Sequence, residues 1–498
     1  MNKPAVVLLG IVVAIGAISA GGAWYTGKQL EPVLQTAIQK ANQDLQSSMN
    51  GVDSRVTLEL VSLDRHLFSS TAHYRVKIEG AAFAGSNPAP ELLFVDHIEH
   101  GPLPFSRLVS LKWLPVMATS NYSLEKTPLT EKWFAASKDV PPIKGVTNVG
   151  YDLSTTGNVE FVPLELKDDK LSVSFSGANL DFSTTDDAQK VKLDGYMDSL
   201  KFSATDDKQV PFSADLGGLT VASNLTKSGF GFYNGESTVE LSNTKLILGP
   251  QQVALTLKNI ELKSFQETTG TNTSGRGDYK VEEVGFQGKP VGSMAAAFSM
   301  KNVDAPSFQV LSKLYQEKLA PAQAAVAAGK PAPELQLTEA EQTLIQTNIN
   351  QFLAAKPQLN LENLSLKTTH GESRFNLLLD LAKPASMELP PVELGKQIIA
   401  VLDTNLTLSK PMLKDIATLQ AQASGVTDPA AIEQQAQVAS ETIGAMAVAT
   451  QLATVTGDDI TSKLHYASNE VTFNGQKMTV EQFLGVILGK LAAVSGQQ

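Results

Sequence analysis

Hydrophobic and polar positions alternate along most of this chain. After Val52, "RVTLELVSL" and "HYRVKIEG" alternate, and between Tyr151 and about Ser307 "KLSVSFSGANLDFST", "KVKLDGYMDSLKFSA" and "VALTLKNIELKSF" do the same. A period of two is typical of half-buried antiparallel strands. Turn-forming residues interrupt the pattern roughly every ten residues, as in an all-β array of hairpins. The pattern therefore predicts an antiparallel β meander over 151–306.

A small polar pair followed by apolar-x-apolar recurs inside these segments. It is seen in "GANLDF", "MDSLKF", "LGGLTV", "LKNIEL" and "LENLSL". The unit is too degenerate to establish a solenoid. The repeat indicates one long, twisted sheet in which each strand pairs with the next. In "KLSVSFSGANLDFST" the apolar side is predicted to carry Leu171, Val173, Phe175, Leu180 and Phe182, with a shift of phase at Gly177-Ala178.

Helical spacing replaces alternation in several places. Residues 26–50 are predicted as an amphipathic stalk or packing helix, which either covers the chain's own sheet or pairs with a second chain; the first is the commoner arrangement. Residues 104–117 are predicted as a short helix opened by proline, with Leu108, Leu111 and Leu114 on one side. The apolar stripe of the helix predicted over 26–50 comprises Leu30, Val33, Leu34, Ala37, Ile38, Ala41, Leu45 and Met49.

The C-terminal region 307–498 is predicted to be rich in helix. Thr338 and Glu341 have the spacing of a capping box. Asn474-Gly475 is a strong hairpin-turn signal. The predicted helices cover 307–355, 410–424 and 428–453, and the predicted strands cover 358–381 and 460–474.

The first residues are predicted to anchor the chain in a membrane. Residues 5–25 form an uncharged run of 21 residues, which as a helix would be ~31 Å long and matches a bilayer core of ~30 Å. Trp24 and Tyr25 fall where an aromatic belt is expected. A cleaved signal peptide is the alternative, with small residues at Ala20-Gly21-Gly22. The run exceeds the roughly 7–15 residues of a signal core, which favours an uncleaved anchor.

The fold class predicted from these patterns is α+β. A short cytoplasmic N-terminus (1–4) precedes a single transmembrane helix, and a mixed α+β region (51–150) precedes the β meander, with helices packed on the sheet. Small residues at Gly10, Ala14, Ala17 and Gly21 share one face of the membrane helix. Such faces let helices approach closely, so we consider a homodimer through this face, with chance as the alternative.

Composition narrows the classes of function. The 498-residue chain has a net charge of −11 and no cluster of Lys and Arg, so nucleic acid is not expected as a partner. It has no cysteine, which excludes disulfides, thiolate metal sites and thiol catalysis. A cysteine-free chain is compatible with the periplasm.

"VDHIEHGPLPF" is the densest cluster of potential metal ligands or acid–base groups. Pro102 and Pro104 favour extended backbone, and a strand would place His97 and Glu99 on one face and Asp96 and His100 on the other. Ligands divided in this way do not converge on a metal ion, and the remaining histidines are scattered. The sequence also lacks Gly-x-Ser-x-Gly and His-Glu-x-x-His. We therefore predict no catalytic, cofactor-binding or metal residues, and a protein that is not an enzyme.

Four stretches resemble a known family. "GGAWYTGKQ", "RHLFSSTAHYRVKI", "EHGPLPF" and "HYASNEVTFNGQKMTVEQFLG" are similar to the YdgA-like family of bacterial proteins, from the first residues to the last helix. The resemblance implies an inner-membrane anchor with the body in the periplasm, and no assigned activity or site residues. It supports the anchor over the signal peptide. It also implies that His100-Gly101-Pro102 is a fixed turn.

Two functions remain open after these considerations. The first is a periplasmic envelope protein with a non-catalytic binding or structural role. The alternative is a lipid-binding or lipid-transport protein, similar in outline to the AsmA-like proteins, whose curved sheets hold acyl chains. An apolar sheet face within 151–305 that helices leave uncovered would favour lipid.

Overall fold

A computed structural model describes residues 30–48, 54–80, 91–168, 170–185, 188–205, 210–249, 251–327, 331 and 337–495. The predicted membrane helix and its small-residue face of Gly10, Ala14, Ala17 and Gly21 lie outside these residues. None of the helices described is both long and apolar enough to cross a membrane. The anchor therefore stays a prediction.

The chain divides into two compact units, Met1–Val239 and Glu240–Gln498. The division falls inside one long strand, β12 (Tyr233–Leu248). Long antiparallel strands dominate both units, with helices beside them, so the prediction of a β-rich α+β body is confirmed. The predicted borders at 150 and 306 stay a prediction.

The first unit is a meander with one long helix on it. Strands β1 to β6 each pair with the next, β6 pairs with β9, and β9 and β8 both lie along β10, which pairs with β11. Its elements are α1 (Leu30–Ser48), β1 (Ser54–Arg65), β2 (Ser69–Gly80), β3 (Glu91–His100), α2 (Phe105–Val109), β4 (Ala118–Leu124), α3 (Glu131–Ala136), β5 (Ile143–Val149), β6 (Thr155–Phe161), β7 (Leu164–Lys167), β8 (Leu171–Phe175), β9 (Ala178–Thr184), β10 (Lys190–Thr205) and β11 (Pro211–Lys227).

The core of the first unit lies between α1 and the first strands. The apolar stripe of α1 is buried at Leu34, Ile38, Ala41 and Leu45, and it belongs to one cluster with side chains from β1 to β5. Alternation places those strand residues on the same side of the sheet, where the helix covers them. The stripe therefore packs on the chain's own sheet.

Asn42 fastens α1 to the outer strand β1. Its side-chain amide donates to the carbonyl oxygen of Leu58 and accepts from the Leu58 N–H, both at 2.9 Å. The amide thus takes the place of a neighbouring strand at an edge.

Asn42→Ala would remove both bonds, so we expect a loss of about 1–3 kcal/mol in the free energy of unfolding. Urea unfolding measures it, and Gln39→Ala, at an exposed position of the same helix, should change the free energy by less than about 0.5 kcal/mol. Equal losses would contradict the role of Asn42.

The second unit consists of longer strands with helices at their ends. Strands β13 to β18 pair in order, β18 pairs with β20, and β20 to β22 form the last hairpins. Its elements are β13 (Val253–Thr269), β14 (Asn272–Phe286), β15 (Lys289–Asp304), α4 (Ala305–Leu314), a π-helical segment (Tyr315–Leu319), α5 (Ala320–Ala327), α6 (Glu339–Ala354), β16 (Gln358–Thr368), β17 (Glu372–Leu381), α7 (Pro391–Ile398), β18 (Ile399–Ser409), α8 (Lys410–Ala423), α9 (Pro429–Thr450), β19 (Thr454–Thr456), β20 (Asp459–Ala467), β21 (Glu470–Phe473), β22 (Gln476–Thr479) and α10 (Val480–Ser495).

The predicted capping box at the start of α6 is confirmed. The Thr338 hydroxyl accepts from the Glu341 N–H, and the Glu341 carboxylate accepts from the Thr338 N–H. These bonds and the contact with Lys318 lower the pKa of Glu341 to about 2. The box satisfies backbone donors that the first turn of a helix otherwise leaves unpaired.

In four of the five segments the recurring polar pair lies inside a strand, and in "GANLDF" it opens β9. Strands β10 to β15 are 15 to 17 residues long, so the prediction of turns roughly every ten residues is wrong there. Leu361 and Leu364 are three residues apart, yet they pair with Leu377 and Phe375, which share one face. In a regular strand, residues three apart point to opposite faces. An extra residue, or β-bulge, between them returns both to the same face. In "LENLSL" the polar pair therefore keeps the apolar residues on one side.

One local prediction was wrong. The helix predicted over 104–117 covers only Phe105–Val109, because Leu111 takes a left-handed backbone conformation and Leu114 is exposed. The predicted turn at Asn474-Gly475 is present, with positive φ at both residues, as this type of tight turn requires.

Candidate functional site

The histidine-rich stretch lies on β3, as predicted, and its polar groups point in opposite directions. Asp96 and Ile98 are fully buried while His97 is exposed. The Thr71 hydroxyl oxygen lies 3.2 Å from His97 Nδ1, and the Ser70 hydroxyl oxygen lies 3.1 Å from His100 Nε2. Within the described part of the chain, no three His, Cys, Asp or Glu residues are grouped so as to hold a metal ion. Partial burial lowers the pKa of His100, which favours its neutral form.

Asp96 is a buried carboxylate in the core of the first unit, and its burial was not predicted from the sequence. Its Oδ1 accepts a hydrogen bond of 2.6 Å from the Ser120 hydroxyl. Burial, and then the charge of Asp96, raises the pKa of both Tyr74 and Tyr122. Because its side chain has no exposed surface, a dissolved substrate would not reach it. The one signal in the sequence is its position between Phe94 and Ile98 on the apolar side of the alternation.

The second unit presents a continuous apolar face across β13 to β18. Directly paired residues of antiparallel strands share a face, and pairing carries apolar residues from strand to strand. One row runs from Tyr279 through Ala296, Leu364 and Phe375 to Leu406. We call this side the apolar face; its other large members are Leu257, Ile260, Leu262, Val281, Val284, Met294, Phe298, Leu359, Leu361, Leu366, Leu377, Leu379 and Leu402.

Helices leave most of this apolar face uncovered. No hydrophobic side chain of β13, β14, β16 or β17, all strands the structure describes, is buried. Five members of the face are exposed by 39 to 46%: Tyr279, Met294, Phe298, Leu359 and Leu364. The helices of this unit pack against β15, β16, β18, β19 and the β21–β22 hairpin, and not chiefly against β13, β14 or β17. Contiguous apolar exposure on this scale commonly marks an interaction or ligand-binding surface.

The opposite face of the same sheet is polar. It holds a shallow cavity of about 470 Å³ that includes Asp403, Lys463 and His465 among its lining residues. The His465 imidazole contacts the Asp403 carboxylate across β18 and β20. Nearby, Arg276 forms ion pairs with Asp278 and Glu362. Exposed pairs of this kind are typical of a solvated sheet surface and contribute little to stability.

The predicted apolar side of the first unit is better covered than that of the second. Leu180 is only 7% exposed, and Leu171, Val173, Phe175 and Phe182 are half-buried. The Phe182 ring lies over Gly157, where a Cβ would overlap it. The uncovered face therefore begins within the range 151–305 predicted from the sequence, on β13 to β15, and continues outside that range on β16 to β18.

Comparisons with known proteins place the chain among uncharacterised bacterial proteins. The profile of a family described as "Bacterial protein of unknown function (DUF945)" matches residues 1–481. "Protein YdgA" of Escherichia coli (strain K12) is 27% identical over 496 residues, covering 98% of this chain and 97% of that protein. "Uncharacterized protein YihF" of the same strain is 23% identical over 499 residues, covering 95% and 97%. No solved structure matches the chain.

Proposed function

We propose that this chain, which belongs to the DUF945 family of bacterial proteins of unknown function, binds acyl chains on the apolar face of its second unit. In this proposal it is a non-enzymatic protein of the bacterial inner membrane, anchored through residues 5–25 with its body in the periplasm. The observation that carries the proposal is the exposure of that face. A purely structural envelope role is the second candidate and needs no ligand there.

The size and chemistry of the face suit an acyl chain. A row across β13 to β18 crosses five strand spacings of ~4.8 Å, or ~24 Å, and one leaflet of a bilayer core is ~15 Å thick. The exposed members are Leu, Met, Phe and Tyr, and Tyr279 and Phe298 stack with ring centres 5.9 Å apart. Fully burying one such side chain is worth about 1.5–3 kcal/mol. Several half-exposed side chains would together stabilise a bound chain by several kcal/mol.

Photo-crosslinking in living cells tests this proposal. A photoreactive phenylalanine analogue replaces Phe298 on the apolar face or Ala295 on the opposite face, where the latter pairs with Lys280. We expect phospholipid to be captured from position 298 and not from position 295. Adding Met294→Glu, which places a charge on the same face, should reduce capture from position 298 several-fold.

The control and the contrary outcomes are distinct. The control is Ala295→Glu, which adds the same charge on the opposite face, beside its strand partner Lys280. It should leave capture from position 298 unchanged. Capture of a protein in place of lipid would favour the structural role. Equal lipid capture from both faces, or none from either, would overturn acyl-chain binding at this face.

A further inference from the structure

Large apolar side chains are concentrated at one end of the first unit. Three connections meet there: 66–68 between β1 and β2, 101–117 between β3 and β4, and 150–154 between β5 and β6. We call these connections the apolar tip. Its most exposed members include Leu67 (83%), Phe68 (77%), Phe105 (73%), Leu111 (72%), Trp113 (64%) and Leu114 (79%).

Hydrogen bonds hold the apolar tip in one arrangement. The His100 N–H donates to the Phe68 carbonyl at 2.9 Å, which joins the first two connections. The Met117 N–H donates to the Val149 carbonyl at 2.7 Å, beside the third connection. The Arg107 guanidinium donates to Asn148 Oδ1 and to the Leu114 carbonyl, each at 3.0 Å. The apolar side chains are therefore presented to solvent by connections that are themselves bonded to the sheet.

The direction of α1 relates this end of the sheet to the predicted membrane segment. Asn42 lies against Leu58, Ser48 lies ~9 Å farther along the helix, and Ser54 lies ~13 Å back along β1. If helix and strand ran in the same direction, those two serines would be ~22 Å apart along the sheet, which six residue steps from Ser48 to Ser54 reach only when fully extended, at ~20–22 Å. An antiparallel helix needs no such extension, which favours a helix that runs antiparallel to β1 with its first residue toward the apolar tip.

The distances along α1 allow the predicted anchor to lie close to the apolar tip. From Asn42 back to Leu30 the helix covers ~18 Å, while β1 covers ~23 Å from Leu58 to Arg65 beside the tip. Residue 25, the last of the predicted membrane helix, is five residues before Leu30, a reach of at most ~18 Å. A membrane helix that ends at residue 25 is therefore within reach of the end of the unit that carries the apolar tip.

We infer that the apolar tip inserts into the surface of the bilayer that residues 5–25 cross. This inference rests on the anchor in the proposed function. Trp113 and Tyr151, both exposed, suit the interface, where aromatic side chains with a polar atom are enriched. The tip and the residues that flank it carry three basic groups, at Arg65, Arg107 and Lys112, and three acidic groups, at Asp64, Glu99 and Asp152, so the charges balance. Insertion is therefore driven by apolar contact, and a zwitterionic lipid is sufficient.

Single-cysteine labelling of the full chain tests this inference, because the chain has no cysteine of its own. Leu67→Cys, Leu114→Cys and Leu129→Cys each carry an environment-sensitive fluorophore in phosphatidylcholine vesicles. Leu129 is a matched control, since it is 51% exposed but lies in the β4–β5 connection, at the other end of the sheet. A nitroxide lipid labelled near its headgroup should quench positions 67 and 114 several-fold more than position 129, with emission shifted to the blue.

The outcomes separate the anchor from the tip. Extraction of the chain from the vesicles by alkaline carbonate would overturn the anchor, and the tip inference with it. Retention with equal quenching at positions 67, 114 and 129 would overturn the tip inference alone. Quenching at the tip that requires anionic lipid, or disappears in high salt, would show an electrostatic contact and would also overturn apolar insertion. A blue shift at the tip without quenching would mean that protein covers it, which equally contradicts insertion.

Discussion

Raising the pH above 10 is expected to destabilise this protein by about 2.7 kcal/mol per pH unit through two tyrosines. Tyr74 and Tyr122 are 1% and 2% exposed. Burial is the larger cause that raises the pKa of each phenol above its ordinary value of 10.0, and the nearby charge of Asp96 is the smaller. Each proton that only the unfolded chain releases costs about 1.4 kcal/mol per pH unit.

The sign follows from the direction of the pKa shift. In the unfolded chain both tyrosines ionise near pH 10, whereas in the folded chain they stay protonated. Below pH 10 both states hold the protons, so the contribution of the two phenols to stability is fully present. As the pH rises toward their pKa values in the folded chain, the unfolded state loses protons first and that contribution is lost.

Urea unfolding over a pH series, with tyrosinate absorbance as a second readout, measures this effect. Tyr122→Phe should reduce the slope above pH 10 by about 1.4 kcal/mol per pH unit, since one proton is removed from the linkage. Tyr151→Phe is the control, because Tyr151 is 56% exposed and should leave the slope unchanged. An equal slope in both variants would show that the two core phenols titrate normally, and so would a folded Tyr122→Phe protein that gives less tyrosinate absorbance near pH 10 than the unsubstituted chain, in which exposed tyrosines such as Tyr151 already ionise at that pH.

Replacing Gly101 by alanine is expected to destabilise the first unit by about 3 kcal/mol or more. A Cβ at this position would overlap the carbonyl oxygen of Val116 and approach that of Met117 to 2.8 Å. Both obstacles are backbone atoms, and the backbone is bonded there. The Gly101 N–H donates to the Met117 carbonyl at 2.7 Å and the Val116 N–H donates to the Pro102 carbonyl at 3.0 Å. The added carbon therefore forces the connection apart.

Gly229→Ala is the matched control for that substitution. Gly229 lies in the same unit, and a Cβ there would meet no atom within 4 Å. Its change in the free energy of unfolding should stay within about 0.5 kcal/mol. Thermal unfolding of the two variants measures the difference, and a Gly101→Ala protein as stable as Gly229→Ala would contradict the close approach at the tip.

Much of the fold could be predicted from the sequence because alternation and capping are local. The period of two in β3 placed Asp96 and Ile98 opposite His97, and burial agrees. Thr338 and Glu341 marked the start of α6 because both partners of the box lie within one turn of helix. The prediction of a helix over 104–117 was wrong for the opposite reason. Hydrogen bonds to β4 and its neighbours determine the conformation of that connection more than its own apolar spacing does.

The sequence by itself determined that the chain is β-rich, that α1 carries an apolar stripe, and that the histidines of β3 are divided between two faces. Each of these depends on the direction of neighbouring side chains, which backbone geometry sets within a few residues. Only the tertiary structure decided which apolar face is covered. Leu34 of α1 is buried against the first sheet, whereas Phe298 on β15 is 45% exposed. Coverage depends on where distant helices pack. The local hydrophobic pattern of a strand is the same whether or not a helix covers it.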